Sequence, residues 1–335
     1  MSENTQIDKV QEPVSTRFMN MIIKEFTGSV GDVALTNFQK RLAQNYFIAI
    51  DGALAKAEQK RQAKRTNKDP LPVTWVNVDM KKLAPDVVAA ARVGFDPAQP
   101  NHVSMVPYKN NASGNYGVGF IPGYRGLEMK AVKYGQSVPD AVIVELVHKN
   151  DTFLPIKKDF KHPVEGYEFE VSTPFDRGEI IGGFYYHLYA DQPEKNKLVI
   201  FSVADILKRK PKYASPEFWG GEKDVWKDGK KTGKKEKVDG WYEKMCWKTI
   251  YRAAYNDITI DSQKIDDDYL RLKQMEDALS DQEVAAEIAE NANGEVLDVE
   301  AETVENDDIP AENAEKVTEN DQKATKQETL SGPGF

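Results

Sequence analysis

An aromatic residue, an arginine and two lysines lie close together in the segment 120–133, where a predicted strand gives way to a helix. Alternating apolar residues predict the strand, and a glycine ends it. Tyr124 and Arg125 follow at the turn, and Lys130 and Lys133 share one face of the helix. Cations suit phosphate groups and an aromatic ring suits a base or a sugar. No set of acid, base and nucleophile that would indicate catalysis accompanies them.

A second basic cluster lies on a helix predicted over residues 241–256. Lys244, Lys248 and Arg252 are spaced i, i+4 and i+8, so they form one stripe that could follow a phosphate backbone. The residues expected on the opposite side of this helix, packed on a sheet, are Trp247, Ile250, Tyr251 and Ala254. The alternative is an ordinary helix face exposed to solvent.

Between residues 208 and 237 there are 11 Lys and Arg residues against 5 Asp and Glu residues, mixed with aromatic residues. Lys208 and Arg209 open this segment. Such a mixture suits a single strand, because charges hold phosphates while rings stack on bases. A solvated loop, with its tryptophans packed on the body or on a neighbouring subunit, explains the composition equally well. We predict an irregular segment over 211–238 and a mobile loop at 230–237.

Lys109 and Asn110 begin a loop at the end of the strand that precedes the segment 120–133. If the two strands pair, we expect both residues to lie close to the turn that carries Tyr124. They are therefore further candidates for contact with DNA.

The signals for catalysis are weak. The run 229–232 has the wrong spacing for a phosphate-binding loop, so ATP-driven chemistry is not supported. The four histidines lie far apart, without a metal-binding pair. Acidic residues that could form a magnesium-dependent nuclease site are Glu168, Glu170, Asp176 and Glu179. Carboxylates at this density are more typical of solvated strand edges and turns.

The charge of the chain is divided unequally. The formal net charge of −9 argues against nucleic acid, but residues 276–335 hold 18 Asp and Glu against 3 Lys, a net charge of −15. The remainder holds 42 Lys and Arg against 36 Asp and Glu, a net charge of +6. Cys246 is the only cysteine, which fits a reducing cytoplasm. No signal peptide or membrane span is expected.

Hydrophobic periodicity places helices at both ends of the body and strands in its centre. The predicted fold class is α+β, with a central, largely antiparallel β-sheet flanked by helices. We expect a partly flexible N-terminal segment over 1–30, a core domain over 31–275, and a disordered acidic tail over 276–335. Ile181 to Ala190 and Lys197 to Ser202 are expected to form a hairpin, and Thr36 to cap a helix.

Several pieces of the chain, in order and spacing over about residues 30–265, resemble the RecT family of phage single-strand annealing proteins. They are RVGFDP at 92–97, HVSMVPYKN at 102–110, GYRG at 123–126, GQ at 135–136 and WYEKMCWKTIYR at 241–252. The resemblance implies ATP-independent annealing, without a catalytic site or required cofactor, in a ring or helical filament of subunits. It also implies that Lys248 lies on a helix that contacts DNA, and that Mg²⁺ modulates annealing.

By the same resemblance, the partners are single-stranded DNA, the annealed duplex, further copies of the chain, a phage exonuclease and the host single-stranded-DNA-binding protein. The place of action is the cytoplasm of a bacterial host cell. Two other functions stay open: a passive single-stranded-DNA-binding protein and, with less support, the metal-dependent nuclease. The acidic tail could screen the basic body against nonspecific contacts.

Overall fold

The computed structural model describes residues 12–30, 36–64, 68–110, 113–211, 214–227 and 230–279. The helices there are α1 Val14–Val30, α2 Asn37–Ala63, α3 Met80–Val93, α4 Tyr124–Tyr134, α5 Val203–Lys208, α6 Pro216–Trp219, α7 Tyr242–Asn256 and α8 Asp267–Leu279. The strands are β1 Val103–Lys109, β2 Tyr116–Pro122, β3 Ala141–His148, β4 Thr152–Ile156, β5 Gly166–Glu170, β6 Ile180–Leu188, β7 Lys197–Ser202, β8 Gly221–Lys227 and β9 Lys230–Val238. The α+β class and the antiparallel pairing are confirmed, with these strands divided among four small sheets. Most of the predicted acidic tail, from residue 280 onward, lies outside the described residues.

The N-terminal half is built on α1, α2 and α3. Thr36 caps α2 as predicted: its hydroxyl accepts from the backbone N–H of Gln39, whose side-chain oxygen accepts from the N–H of Thr36. Tyr46 of α2 is fully buried and donates its hydroxyl hydrogen to the Phe95 carbonyl oxygen at 2.7 Å. No helix in the described part of the chain is long and apolar enough to cross a bilayer.

Strands β1 and β2 form an antiparallel hairpin that covers this helical core. Val103 pairs with Pro122 at one end, and Lys109 pairs with Tyr116 at the other. Helix α4 begins two residues after β2 ends, so it starts beside Val103 rather than beside Lys109. The expectation that Lys109 and Asn110 lie near the turn is therefore wrong, because antiparallel pairing brings the end of one strand to the start of the next.

The second layer is the three-stranded sheet β3–β6–β7, in which β6 and β7 form the predicted hairpin. Helix α7 packs on one face through the buried side chains of Cys246, Ile250 and Ala254. The β4–β5 hairpin covers the opposite face, where Phe153 of β4 stacks on Phe184 of β6 with ring centroids 4.7 Å apart. The sheet thus fixes which side of α7 is left to solvent.

The lysine-rich segment after α6 is ordered differently from the prediction. Instead of an irregular stretch with a mobile loop, β8 and β9 pair as an antiparallel ribbon. Opposite charges face each other across its strands, with Lys223 opposite Glu236 and Asp224 opposite Lys235. Such cross-strand pairs stabilise a hairpin even when apolar and polar residues do not alternate along its strands. The strand predictions relied on that alternation, so they did not find this hairpin.

Helix α8 was not predicted, and the expected domain boundary at residue 275 falls inside it. Its Leu272 and Met275 are buried in the N-terminal core. Arg271 of α8 pairs with Asp86 of α3, a nearly buried carboxylate. Burial raises the pKa of Asp86, and the Arg271 guanidinium opposes that shift. Helix α8 is therefore part of the folded body.

Candidate nucleic-acid interface

The three cations predicted on α7 form one row on its solvent side. Lys244, Lys248 and Arg252 follow one another by one helical turn each. Lys244 and Arg252 are exposed, while Lys248 is half-buried between them. We call these three residues the basic stripe. They project from a helix whose other side is held by the sheet, so their spacing is fixed by the fold.

An aromatic row runs beside the basic stripe, and we call it the aromatic stripe: Trp247, Tyr251 and Tyr255. Their ring centroids lie 4.8 Å apart at each step along the helix. The indole N–H of Trp247 donates to the Val144 carbonyl oxygen of β3 at 3.2 Å. Trp247 and Tyr251 were expected to pack on the sheet with Ile250. Trp247 does reach the sheet, but the stripe mainly faces the start of α4.

Tyr124, the first residue of α4, joins the two stripes. Its ring meets Trp247 and Tyr251 edge-on, with centroid distances of 5.6 and 5.1 Å. The ammonium nitrogens of Lys244 and Lys248 lie 5.9 and 5.8 Å from the centroid of the same ring, which is within the range of cation–π attraction. Residues from segments more than 100 positions apart thus form one surface of cations on aromatic rings.

The turn before α4 places Tyr124 through close backbone contacts. The N–H of Gly123 donates to the His102 carbonyl oxygen, and those of Arg125 and Gly126 donate to the Asn101 carbonyl oxygen at 3.2 and 3.3 Å. A Cβ atom at Gly123 or at Gly126 would come within 2.1 Å of a carbonyl oxygen of residue 101 or 102. Only glycine allows the helix to start this close to the preceding chain.

Glu128 and Arg252 fix α4 against α7. The Glu128 carboxylate accepts hydrogen bonds from the hydroxyls of Tyr251 and Tyr255, at 2.7 and 3.3 Å. Arg252 donates from Nη1 to the Pro122 carbonyl oxygen at 3.0 Å. Arg125 is exposed at the turn, and within the described residues no ion pair joins it to Glu128. Glu128 therefore does not hold Arg125 at the turn, and the Arg125 side chain is left exposed to solvent.

The charged form of the Lys248 side chain is destabilised in the protein without DNA. Burial, and then the neighbouring charges of Lys244 and Arg252, lower the pKa of its ammonium group below the ordinary lysine value. A lowered pKa means that the charged form costs stability at pH values below it, and that this cost decreases to zero as the pH rises from the lowered pKa to the ordinary lysine pKa. A bound anion would offset the same cost, so this position favours a phosphate group.

We expect binding of single-stranded DNA to take up a proton at Lys248 in the alkaline range below the ordinary lysine pKa of about 10.4. Only the ammonium form attracts a phosphate, and a bound phosphate raises the pKa of that group. Affinity should therefore fall as the pH rises through the lowered pKa of Lys248. Titration calorimetry in two buffers of different ionisation enthalpy measures the uptake. Lys248→Arg, which stays charged, should abolish it, and equal uptake by both proteins would contradict the assignment.

Lys130 and Lys133 lie on the side of α4 that meets Glu276 of α8 and Asp266, the residue before that helix. Lys130 pairs with Glu276 at 2.7 Å and is only 14% exposed. Lys133 donates to the Arg92 carbonyl oxygen at 3.1 Å and lies 3.7 Å from an oxygen of Asp266. These contacts neutralise both cations within the fold. Their predicted phosphate contacts stay untested, and the geometry assigns them a structural role.

The remaining predicted residues lie elsewhere. Lys109 forms an ion pair with Asp69 at the far end of the β1–β2 hairpin, beside Asn110. Lys208 is 75% exposed and lies 3.4 Å from Asp205. The Arg209 guanidinium lies 5.0 Å from the centroid of the Phe201 ring and lines a cleft with the last turn of α7. Of the predicted set, the structure brings Tyr124 onto the basic stripe, and Arg125 is the exposed residue that follows Tyr124.

The carboxylates considered for a nuclease fall on and after β5. Glu168 and Glu170 lie on that strand, and Asp176 and Glu179 lie in the loop that follows it. In the part of the chain that the structure describes, no group of three or more His, Cys, Asp or Glu residues could hold a metal ion.

Sequence reasoning missed Tyr255 and the role of Glu128. Tyr255 continues the i, i+4 spacing of Trp247 and Tyr251, so the aromatic stripe could have been found from the sequence. The contact with Glu128 joins residues more than 120 positions apart, so no local sequence pattern predicts it.

Comparison with known proteins identifies a family. A model described as the RecT family matches residues 75–281, which is more than half of the chain and includes α4, α7 and α8. No curated protein and no solved structure matches the chain.

Proposed function

The chain belongs to the RecT family of single-strand DNA annealing proteins, and from this premise we propose that it pairs complementary DNA strands without ATP. One strand lies along the basic stripe with its phosphates toward α7. Its bases stay accessible, a complementary strand pairs with them, and the new duplex is retained. Copies of the chain assemble into a ring or a helical filament, which joins their basic stripes into a longer path.

The observation that carries this proposal is the basic stripe beside the ring of Tyr124. Cations that neutralise phosphates bind DNA of any sequence, because the backbone has no sequence information. Tyr124 offers a flat surface on which a sugar or a base can pack. An annealing protein needs this combination, since contacts to base edges would compete with the second strand.

A passive single-stranded-DNA-binding protein is the second candidate, because the same cations would serve it. The difference is whether the bound strand pairs faster than the free strand. A nuclease has less support from the described residues, where the carboxylates after β4 form no cluster suited to a metal ion.

The partners proposed for the chain follow from the family. They are a phage exonuclease that supplies single strands and the host single-stranded-DNA-binding protein that first covers them. We propose that the reaction takes place in the bacterial cytoplasm, and that Mg²⁺ modulates it by screening the two polyanions.

Annealing of two complementary oligonucleotides, followed by fluorescence without ATP, tests the proposal. The full chain should accelerate pairing strongly over the spontaneous rate, and added ATP should change nothing. Tight binding of single strands without faster pairing would refute annealing and favour the passive protein. Cleavage of the strands in the presence of Mg²⁺ would favour the nuclease.

A further inference from the structure

A cleft of about 480 Å³ opens between the first turn of α7 and β3. Trp241, Lys244 and Trp247 line it on the side of the helix, and Glu145 and Arg177 line it on the side of the sheet. This volume falls within the range of about 300–1,000 Å³ that is usual for small-molecule sites. Aromatic walls with a few polar groups are the usual composition of a site for a flat heterocycle.

Trp241 lies at this cleft and is 61% exposed. Its position is nevertheless fixed, because its backbone N–H donates to the Phe218 carbonyl oxygen at 2.8 Å and it immediately precedes α7. A large aromatic side chain held in solvent by an ordered backbone has apolar area available for a ligand.

The sheet side of the cleft is also held in place. Arg177 donates to the Asp151 carboxylate at 2.6 Å and to the Leu146 carbonyl oxygen at 2.8 Å. The Asp151 side chain has no exposed surface, so the charge of Arg177 is balanced by a carboxylate held within the fold. Burial raises the pKa of the neighbouring Glu145 carboxyl. The wall is therefore polar, preformed and only weakly attractive to an anion, which suits a neutral base better than a phosphate.

The cleft and the basic stripe share one residue. Lys244 belongs to both, and its ammonium nitrogen lies 4.0 Å from the centroid of the Trp247 ring and 5.9 Å from that of Tyr124. A phosphate bound at Lys244 therefore lies at the edge of the cleft, and the base attached to it can enter.

We propose that this cleft takes one base of the bound single strand, stacked by its face on Trp241 so that its pairing edge stays accessible to the second strand. The inference rests on the proposed function, and it adds a base contact to a surface that otherwise holds the backbone. Stacking tolerates any of the four bases, so the site does not make annealing depend on sequence. It holds the strand in register along the basic stripe, with one base turned toward each subunit.

Trp241→Ala tests the proposal with two oligonucleotides of equal length, one of thymidines and one of abasic sites, which carry the same phosphates. We expect the variant to bind the thymidine strand about 5- to 140-fold more weakly, the equivalent of ~1–3 kcal/mol for one stacked base. Its affinity for the abasic strand should stay within about twofold of the parent, with the same salt dependence. Trp241→Phe, which retains a ring, should recover most of the preference for thymidine.

Phe38→Ala is the matched control, since Phe38 of α2 is an aromatic residue of the same exposure, 62%. It should bind both strands as the parent does. Fluorescence anisotropy measures the affinities, and light scattering measures the size of the oligomer.

The proposal is overturned if the parent binds the abasic strand as tightly as the thymidine strand, a result that requires no variant. It is also overturned if Trp241→Ala lowers the affinity for both strands by the same factor. A variant that changes only the size of the oligomer would overturn it too, because Trp241 would then be a contact between copies of the chain. Failure of the proposed function looks different: the parent would bind thymidines without accelerating annealing.

Discussion

The double variant Lys248→Gln, Arg252→Gln is expected to bind single-stranded DNA about 25-fold more weakly at 0.1 M salt. Each phosphate contact with a single strand adds about 0.7 to the slope of log K against log salt, so two lost contacts remove about 1.4 from that slope. Both side chains lie on the solvent side of α7. The double variant loses the hydrogen bond from Arg252 to the Pro122 carbonyl oxygen, but the buried contacts of α7 with the sheet and the bonds of Glu128 to Tyr251 and Tyr255 remain, so the fold should survive. Anisotropy titrations between about 50 and 200 mM salt give both quantities.

The matched control is Lys40→Gln with Arg41→Gln on α2, where one exposed lysine and one exposed arginine are lost. The net charge changes equally in the two double variants, so long-range attraction falls equally. The α2 variant should keep its affinity within about twofold and retain its salt slope. Equal losses in the two proteins would show that only net charge matters. No loss in either would mean that the basic stripe is an ordinary solvated face.

The helical pattern of 241–256 was sufficient to find the basic stripe, because a spacing of four residues places side chains on one face whatever the surroundings. Trp247, Ile250, Tyr251 and Ala254 predicted which side packs on the sheet, and the structure buries Ile250 and Ala254 there together with Cys246. Local periodicity therefore predicted the most informative part of the site. It did so because a helix packed on a sheet has only one side left for solvent.

Helical spacing alone did not predict the surroundings of Lys130 and Lys133. They share a face of α4 as predicted, but Lys130 is paired with Glu276 of α8 and Lys133 lies beside Asp266, the residue before that helix. A solvated cation and a cation paired within the fold have the same local sequence. Which of the two is present depends on tertiary packing, and the same limit explains why Lys109 was expected at the wrong end of its hairpin.

The β8–β9 ribbon was missed for a different reason. Strand prediction relies on alternation of apolar and polar residues, and this ribbon has lysines on both faces. Its pairing follows from charges that meet only once the hairpin has formed, such as Glu222 opposite Lys237. Charge complementarity between two segments cannot be read from either segment alone.

Gly126→Ala is expected to lower the free energy of unfolding by about 1–3 kcal/mol, the usual cost of overpacking. In an exposed helix the same change stabilises, because alanine is favoured over glycine by about 1 kcal/mol. Gly126 lies in the first turn of α4, and its Cβ would be 2.1 Å from the His102 carbonyl oxygen. That oxygen already accepts from the N–H of Gly123, so it cannot move aside without breaking the turn.

Gly52→Ala in α2 supplies the opposite result in the same protein. A Cβ at Gly52 meets nothing within 4 Å, so this variant should gain up to about 1 kcal/mol. Thermal unfolding measures both, with a shift of about 2–4 °C per kcal/mol for a domain of this size.

Displacement of α4 also moves Tyr124 away from Lys244 and Lys248, so Gly126→Ala should weaken DNA binding below its unfolding temperature while Gly52→Ala leaves it unchanged. If Gly126→Ala stabilised the protein as Gly52→Ala does, the close approach of α4 to residues 101 and 102 would be wrong. The account of how Tyr124 reaches the basic stripe would then fail with it.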